Sequence, residues 1–405
     1  MKSIDWLSES SHIFLNPKAM PTYEFKLNAI ESEFNLSNHI FLATSGSTAV
    51  SPEDIKLVAL NKKAILNSAE SVNKHLYTTA KDIILNPLPI FHIGGLATYA
   101  RAFLSGAKHL DLSNYSAKWD PVNFVELLKN EKVTVTSLVP TQIYDIIALN
   151  LTCPKYLRAV IVGGGGLSYS IYKAAKALKW PIFLSYGMSE TCSQVATSNI
   201  NEFWSEQEDF PKLKILEHLN VFLDSDSCIT ISGNSLLTGY VKFNYNNYQF
   251  INPLNEISCN DKKINCLKTC DIGRVDKGYL SIIGRIDDVI KISGESVSLT
   301  RLDFIMKNIL SEQKVRIDSA IIVENDNRLQ NKISIVFEKS ENDKQNSLIN
   351  NVIEKFNKQV FPFERLNKHY FIDKIPRTPL GKLQRNQLMQ LLHNYNSDPI
   401  KETNK

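Results

Sequence analysis

The chain lacks any stretch approaching the ~20 consecutive apolar residues that span a bilayer, so no helical membrane insertion is expected. Its opening, Met1-Lys2-Ser3-Ile4-Asp5-Trp6-Leu7-Ser8-Glu9-Ser10, has no apolar signal-peptide core, and the expected location is the cytoplasm. Lysine and arginine never gather into a run, and the net charge is only +4 across 405 residues. That balance argues against a nucleic-acid or membrane-surface partner and is compatible with anionic substrates. Cysteine is scarce: Cys153, Cys192, Cys228, Cys259, Cys266 and Cys270 are scattered and form no C-x-x-C pair. Such spacing suits reduced thiols in an intracellular protein. No second ligand pair follows Cys266 and Cys270, so they read as thiols rather than half a metal site. There is no internal repeat, and no G-x-x-x-x-G-K-[ST] phosphate loop.

What is present is an ordinary globular balance, 43% hydrophobic and 22% charged, with length enough for two domains, one of them large. Ile83-Ile84-Leu85 leads to a loop at Pro87 and Pro89, and a helix is expected from near Gly95. Residues 133–139 are rich in β-branched side chains and end at Pro140, with 142–149 helical after them. Residues 158–162 run into Gly163-Gly164-Gly165-Gly166, and 168–178 read as helix. Residues 181–184 form the next strand, ending at Ser185-Tyr186-Gly187. Repeated strand–helix alternation predicts an α/β domain with mainly parallel sheets flanked by helices. From about Asn220 short strands follow one another with few helices, the pattern of a small antiparallel or barrel-like section. After Asp287 a small α+β unit is expected: a helix at 302–310, strands at 317–323 and 332–337, and a helix at 348–358. The predicted domains are 1–286 and 287–405. Residues 244–248 and the tail after Asn396 read as solvated loops or a frayed end.

Four segments carry chemistry. Thr44-Ser45-Gly46-Ser47-Thr48 follows the apolar run Ile40-Phe41-Leu42-Ala43, where hydroxyls and backbone N–H groups around a glycine can surround phosphate oxygens. A plain Ser/Thr turn has the same composition. Tyr186-Gly187-Met188-Ser189-Glu190-Thr191 lies at the end of another predicted strand, where open parallel sheets bind ligands. Glu190 there could hold Mg²⁺ and Tyr186 could stack on a base, while a capped helix start at Ser189 is the bland alternative. Asp271 and Arg285 offer a carboxylate for paired ribose hydroxyls and a guanidinium for hydroxyls or phosphate, or else a surface ion pair. Pro376-Arg377-Thr378-Pro379-Leu380-Gly381-Lys382 is a rigid turn presenting one lysine.

Together and in this order, the segments resemble the acyl-adenylate-forming superfamily of acyl-CoA synthetases, aryl-CoA ligases, adenylation domains and luciferases, over nearly the whole span from Thr44 to Arg385. The resemblance implies ATP and CoA as co-substrates, Mg²⁺ as cofactor, and a mobile C-terminal lid. It places Thr44, Ser45, Gly46, Ser47 and Thr48 on the ATP phosphates. Gly164 and Gly165 would lie along the adenine, with Tyr186, Gly187, Met188, Ser189 and Thr191 around the nucleotide. Glu190 would ligate Mg²⁺, and Asp271 and Arg285 would hold the ribose. Asp287 would be the hinge. Lys382 would stabilise the adenylation transition state, and Gly294 would line the pantetheine tunnel after the lid turns.

The local wording narrows the acid. Leu88-Pro89-Ile90-Phe91-His92-Ile93-Gly94-Gly95-Leu96, Ser137-Leu138-Val139-Pro140-Thr141-Gln142, and Cys192-Ser193-Gln194 after the glutamate look like the o-succinylbenzoate–CoA ligases of menaquinone biosynthesis. That resemblance puts His92 at the acyl pocket with Gln142 and Ser193 near it. Arg101 would either pair with the acid's second carboxylate or be a surface arginine on its helix. Two departures stand out. Thr44 lies close to the N-terminus, so the family's first subdomain is expected to be abbreviated. The usual Gly-Lys-Pro-Lys-Gly after the phosphate-loop threonine is replaced by Ala49-Val50-Ser51-Pro52-Glu53-Asp54-Ile55-Lys56, leaving Lys56 as the candidate pyrophosphate cation. The rivals are a ligase for another aryl or fatty acid, an enzyme loading a carrier protein, and a non-catalytic nucleotide-binding homologue. A homo-oligomer is compatible with everything above.

Overall fold

A computed structural model of the chain describes residues 4–16, 26–43, 56–112, 119–199, 211–244, 247–259, 262–292, 295–326, 330–339, 348–377 and 383–397. Two compact units divide the chain, Met1–Ile282 and Ile283–Lys405.

In the first unit the strands are β1 (His12–Phe14), β2 (His39–Ala43), β3 (Lys56–Asn61), β4 (Ile83–Asn86), β5 (Lys108–Asp111), β6 (Val135–Leu138), β7 (Ala159–Val162), β8 (Ile182–Met188) and β9 (Ser193–Ser198). They continue with β10 (Leu213–Ile215), β11 (Leu219–Leu223), β12 (Cys228–Gly233), β13 (Gly239–Asn244), β14 (Asn247–Ile251), β15 (Asn255–Cys259), β16 (Lys262–Asp276) and β17 (Tyr279–Arg285), which carries the chain out of this unit. The helices are α1 (Leu27–Phe34), α2 (Lys62–His75), α3 (Ile93–Ser105), α4 (Pro121–Asn130), α5 (Pro140–Ala148) and α6 (Tyr169–Ala177).

Where strands alternate with helices the pairing is parallel, in the order β5-β4-β6-β7-β8, since a helical crossover returns the chain to the same end of the sheet. Every residue of β6 and β7 is buried, which explains their continuous rather than alternating apolar runs. Phe124, Leu128, Ile143, Ile146 and Tyr172 pack around them from the flanking helices, and Trp180 from the segment leading into β8. Beyond β8 the same sheet continues antiparallel through β9, β10, β17, β16, β12 and β11. Pairing thus turns antiparallel at β9, earlier than the expected change of pattern near Asn220, and the strands after that point divide between this sheet and another. A second sheet runs β1-β2-β3-β13-β14.

Two local expectations are corrected. β8 does not stop at Leu184 but extends through Met188, because Ser185, Tyr186, Gly187 and Met188 pair with β9 across a bulge between Tyr186 and Gly187. The motif at 186–191 is thus a strand end and a 3-10 turn (Ser189–Thr191), not a loop leading to a capped helix. Residues 247 and 248 are not solvated loop either: they open β14, and the Tyr248 hydroxyl accepts the Lys26 N–H at 2.8 Å.

The second unit contains a hairpin, β18 (Val289–Ile292) with β19 (Glu295–Ser298), and a sheet of β20 (Ser319–Asp326), β21 (Gln330–Glu338) and β22 (Leu366–Ile372). Strand periodicity splits the residues of β20 and β21 between two cores. Ile321, Ile333, Ile335 and Phe337 face α7 (Leu299–Glu312) and α8 (Ile349–Gln359) through Leu302, Met306, Val352 and Phe356. Ala320, Ile322 and Val336 pack with Leu388 and Leu392 of α9 (Arg385–Ser397).

Candidate active site

The described candidate residues of the first unit gather beyond the C-terminal ends of the parallel strands, where an open α/β sheet presents its ligands. The glycine loop follows β7. Gly164 adopts φ +78°, which a side chain disfavours, and an added Cβ on Gly165 would reach the Pro140 ring at 3.6 Å. The loop therefore lies on the first turn of α5. That turn is held from inside: the Gln142 side-chain carbonyl accepts the Val139 N–H at 3.0 Å, and Gln142 is buried. His92 caps α3 with extended backbone and packs against Phe91, ring centroids 4.7 Å apart. Burial lowers its pKa to about 4, so the ring is neutral at pH 7. Its Nε2 is buried and has no hydrogen-bond partner among the described residues.

The next strand brings together residues far apart in sequence. The Tyr186 hydroxyl donates to Asp271 Oδ2 at 2.6 Å, and Asp271 is buried. This fixes the tyrosine ring and orients the carboxylate. Gly187 is obligatory, because an added Cβ would stand 1.8 Å from the Ser193 carbonyl oxygen. Thr191 Oγ1 lies 3.2 Å from the Met188 carbonyl and 3.1 Å from that of Ser193, pinning the turn that carries Ser189 and Glu190. Cys192 and Ser193 close it at φ +54° and +115°.

Glu190 has a partner that sequence reasoning missed. The Tyr240 hydroxyl donates to Glu190 Oε1 at 3.0 Å, and burial followed by the Glu190 charge raises the phenol pKa above its ordinary value. The Lys56 ammonium sits 3.7 Å from the centroid of the same ring. Nothing local marks Tyr240 as a site residue. Only the pairing of β13 with β3 brings it here.

Arg101 is not a surface arginine: it is 1% exposed, with Nε 3.4 Å from Asn73 Oδ1. It also lies roughly 12 Å along the helix axis from the His92 end of α3, a placement that does not support its pairing with the acid.

In the second unit Arg285 ends β17, and Asp287 lies in the 3-10 turn Ile286–Asp288. Thr44, Ser45, Gly46, Ser47, Thr48, Gly294 and Lys382 lie outside the described residues. The flanks of 378–382 are well anchored. Arg377 bridges Leu383, the Gln384 N–H donates to the Pro376 carbonyl at 3.0 Å, and Arg377 pairs with Asp318.

No group of three or more His, Cys, Asp or Glu side chains converges among the described residues. A lone carboxylate fits Mg²⁺, which commonly binds through one or two carboxylates together with substrate phosphates. Glu190 would hold it, and the ion would supply charge neutralisation to a triphosphate.

A sheet turning from parallel to antiparallel, followed by a small α+β unit, is the fold of the adenylate-forming enzymes. Residues 29–214 match the AMP-binding enzyme family. The 2-succinylbenzoate–CoA ligase of Staphylococcus epidermidis is 27% identical over 374 residues, 90% of this chain and 71% of that protein. The Bacillus licheniformis ligase of the same name is 26% identical over 335 residues, 79% of this chain and 64% of that one. Among solved structures, the Bacillus subtilis o-succinylbenzoate CoA synthetase in complex with its acyl-adenylate intermediate superposes with TM-score 0.68 at 22% identity, covering 86% of this chain and 68% of that one. An amide bond synthetase from Marinactinospora thermotolerans superposes with TM-score 0.66 at 17% identity, covering 87% and 70%. Those two likenesses concern the fold.

Proposed function

We propose that the protein is an ATP-dependent acid–CoA ligase whose acid is o-succinylbenzoate, acting in the cytoplasm in menaquinone synthesis. The observation that carries the reading is the bond of Tyr186, near the end of β8, to Asp271 at 2.6 Å, beside the turn that follows β8 and carries Glu190. A buried carboxylate aimed by a phenol suits ribose hydroxyls, and a second carboxylate three residues beyond Gly187 suits the metal-bearing phosphates. The choice of acid rests on the curated relatives, both named as 2-succinylbenzoate–CoA ligases, and on the local wording around His92 and Ser193.

In the proposed reaction a carboxylate oxygen attacks the α-phosphorus of ATP and the bond to the β-phosphate breaks, releasing pyrophosphate. Asp271 and Arg285 hold the ribose, Thr44-Ser45-Gly46-Ser47-Thr48 holds the phosphates, and Lys382 neutralises charge growing between carboxylate and α-phosphate. Neutral His92, whose buried Nε2 has no hydrogen-bond partner among the described residues, orients the acyl group beside Gln142 and Ser193. The unit from 287 onward then turns about Asp287 to exchange the Lys382 face for the Gly294 face. The CoA thiolate attacks the acyl carbon and AMP leaves.

ATP–pyrophosphate exchange with o-succinylbenzoate, benzoate and a medium-chain fatty acid, with Mg²⁺ and without CoA, tests this. Exchange with o-succinylbenzoate alone is the expected result. Exchange with another acid would keep the mechanism and remove the pathway, and silence with all three would overturn the assignment.

A further inference from the structure

Three contacts from one segment hold Glu190 and its neighbour. Ser235 Oγ donates to the Thr191 carbonyl at 3.2 Å, the Leu237 N–H donates to the Glu190 carbonyl at 2.8 Å, and the Tyr240 hydroxyl reaches the Glu190 carboxylate at 3.0 Å. The segment is itself fixed to β3, since the Thr238 N–H donates to the Ala59 carbonyl at 2.9 Å and β13 pairs with β3 from Gly239 to Lys242. In that register Tyr240 stands opposite Val58, so Lys56, two residues along, is its diagonal neighbour on the same face. The ammonium of Lys56 accordingly rests 3.7 Å from the ring centroid, a separation at which a cation is drawn to the ring face. One side chain thus touches both the carboxylate and the cation at this end of the site.

We propose that Tyr240 is a positioning residue for the metal–nucleotide end of the site, its hydroxyl aiming the Glu190 carboxylate and its ring seating the Lys56 ammonium. The inference rests on the reading of Glu190 as the Mg²⁺ ligand. A tyrosine serves both charges because its edge donates a hydrogen bond while its face attracts a cation. With Ala49-Val50-Ser51 where relatives of this motif carry glycine and lysine, a lysine anchored on a strand does the work of one carried on a loop.

The test is calorimetric binding of α,β-methylene-ATP to the full chain, in EDTA and in saturating Mg²⁺, with the ratio of the two Kd values as readout. Tyr240→Phe keeps the ring and removes the hydroxyl. It is expected to shrink the wild-type ratio about 3- to 10-fold with the Kd in EDTA within about 2-fold, as loss of one hydrogen bond to a charged group implies. Tyr240→Leu should also weaken binding in EDTA by about 3- to 5-fold, because Lys56 loses its seat. Glu190→Gln should collapse the ratio, and adding Tyr240→Phe to it should change nothing further, since the tyrosine acts through the glutamate. If Glu190→Gln collapses the ratio while Tyr240→Phe leaves it at the wild-type value, the positioning role is wrong and the metal reading stands. Equal ratios for wild type and Glu190→Gln would remove the metal reading and this inference with it. An equal weakening of Tyr240→Phe in EDTA and in Mg²⁺ would reduce the tyrosine to a structural part and overturn the proposal.

Discussion

The two ends of the parallel strands treat polar groups in opposite ways. At the N-terminal ends, Asp82 Oδ1 accepts from Arg158 Nε at 2.9 Å and from Thr134 Oγ1 at 2.7 Å, and Oδ2 accepts from Arg158 Nη2 at 2.9 Å and from the Thr79 N–H at 2.8 Å. Arg158 Nη1 completes the fork on the Leu76 carbonyl at 2.6 Å. Burial pushes the Asp82 carboxyl up, but these bonds outweigh it and the pKa is lowered. The entries to β4, β6 and β7 and the exit of α2 are tied together with their polar groups satisfied by one another. At the C-terminal ends His92 keeps a buried nitrogen with no partner among the described residues, Gly164 and Ser193 hold positive φ, and Gly187 leaves no room for a side chain. The same sheet is stitched shut at one end and left with unfulfilled chemistry at the other. Mutually satisfied polar groups and the candidate site residues are separated along the strand direction.

The comparison breaks most visibly if chemistry can be removed without touching the stitched end. Lys382→Ala should lower pyrophosphate exchange about 10²- to 10³-fold, the usual cost of a lost transition-state charge contact, while the calorimetric Kd for ATP changes less than about 3-fold. The reverse experiment is Asp82→Ala, which strands a guanidinium that is 30% exposed. Urea unfolding should show a loss of about 2–3 kcal/mol, below the full cost of breaking a buried pair because water reaches Arg158, with kcat per folded molecule unchanged. Tyr186→Phe lies between these extremes. Losing the bond to Asp271 should weaken ATP by about 5-fold, roughly 1 kcal/mol, and leave the melting temperature nearly unmoved.

The smallest effect is in pH. Burial lowers His92, His109 and His218 each to about 4, so between about 4 and 6.5 the unfolded chain binds more protons than the folded one. Stability is then fully present above pH 6.5 and is lost as pH falls toward 4. His218→Leu should flatten the slope of unfolding free energy against pH by up to one proton in that window. A slope unchanged from wild type would show that His218 does not remain neutral.

Much of the site was legible because turns and strand ends are written locally. The glycine run after 158–162 and the helix expected over 142–149, found as α5 at Pro140–Ala148, need only sequence neighbours to be read. The helices and strands expected in the second unit were placed to within a few residues, as in α7 at Leu299–Glu312 against the expected 302–310 and β20 at Ser319–Asp326 against 317–323. The misreadings occurred where pairing overrode local cues. Tyr186-Gly187-Met188 has the look of a loop, yet β9 folds back on it and makes it strand. Arg101 has a surface residue's chemistry, but packing of α3 buries it beside Asn73.

The sequence by itself determined the residue types at the strand ends and the family likeness, since each depends on short-range order along the chain. Tertiary structure alone decided which groups meet and in what charge state. Tyr186 finds Asp271 85 positions away, and Glu190 finds Tyr240 across 50, because strand register sets such pairs and no local pattern encodes it. His92 is neutral because surrounding apolar matter, assembled from many segments, makes its protonated form costly.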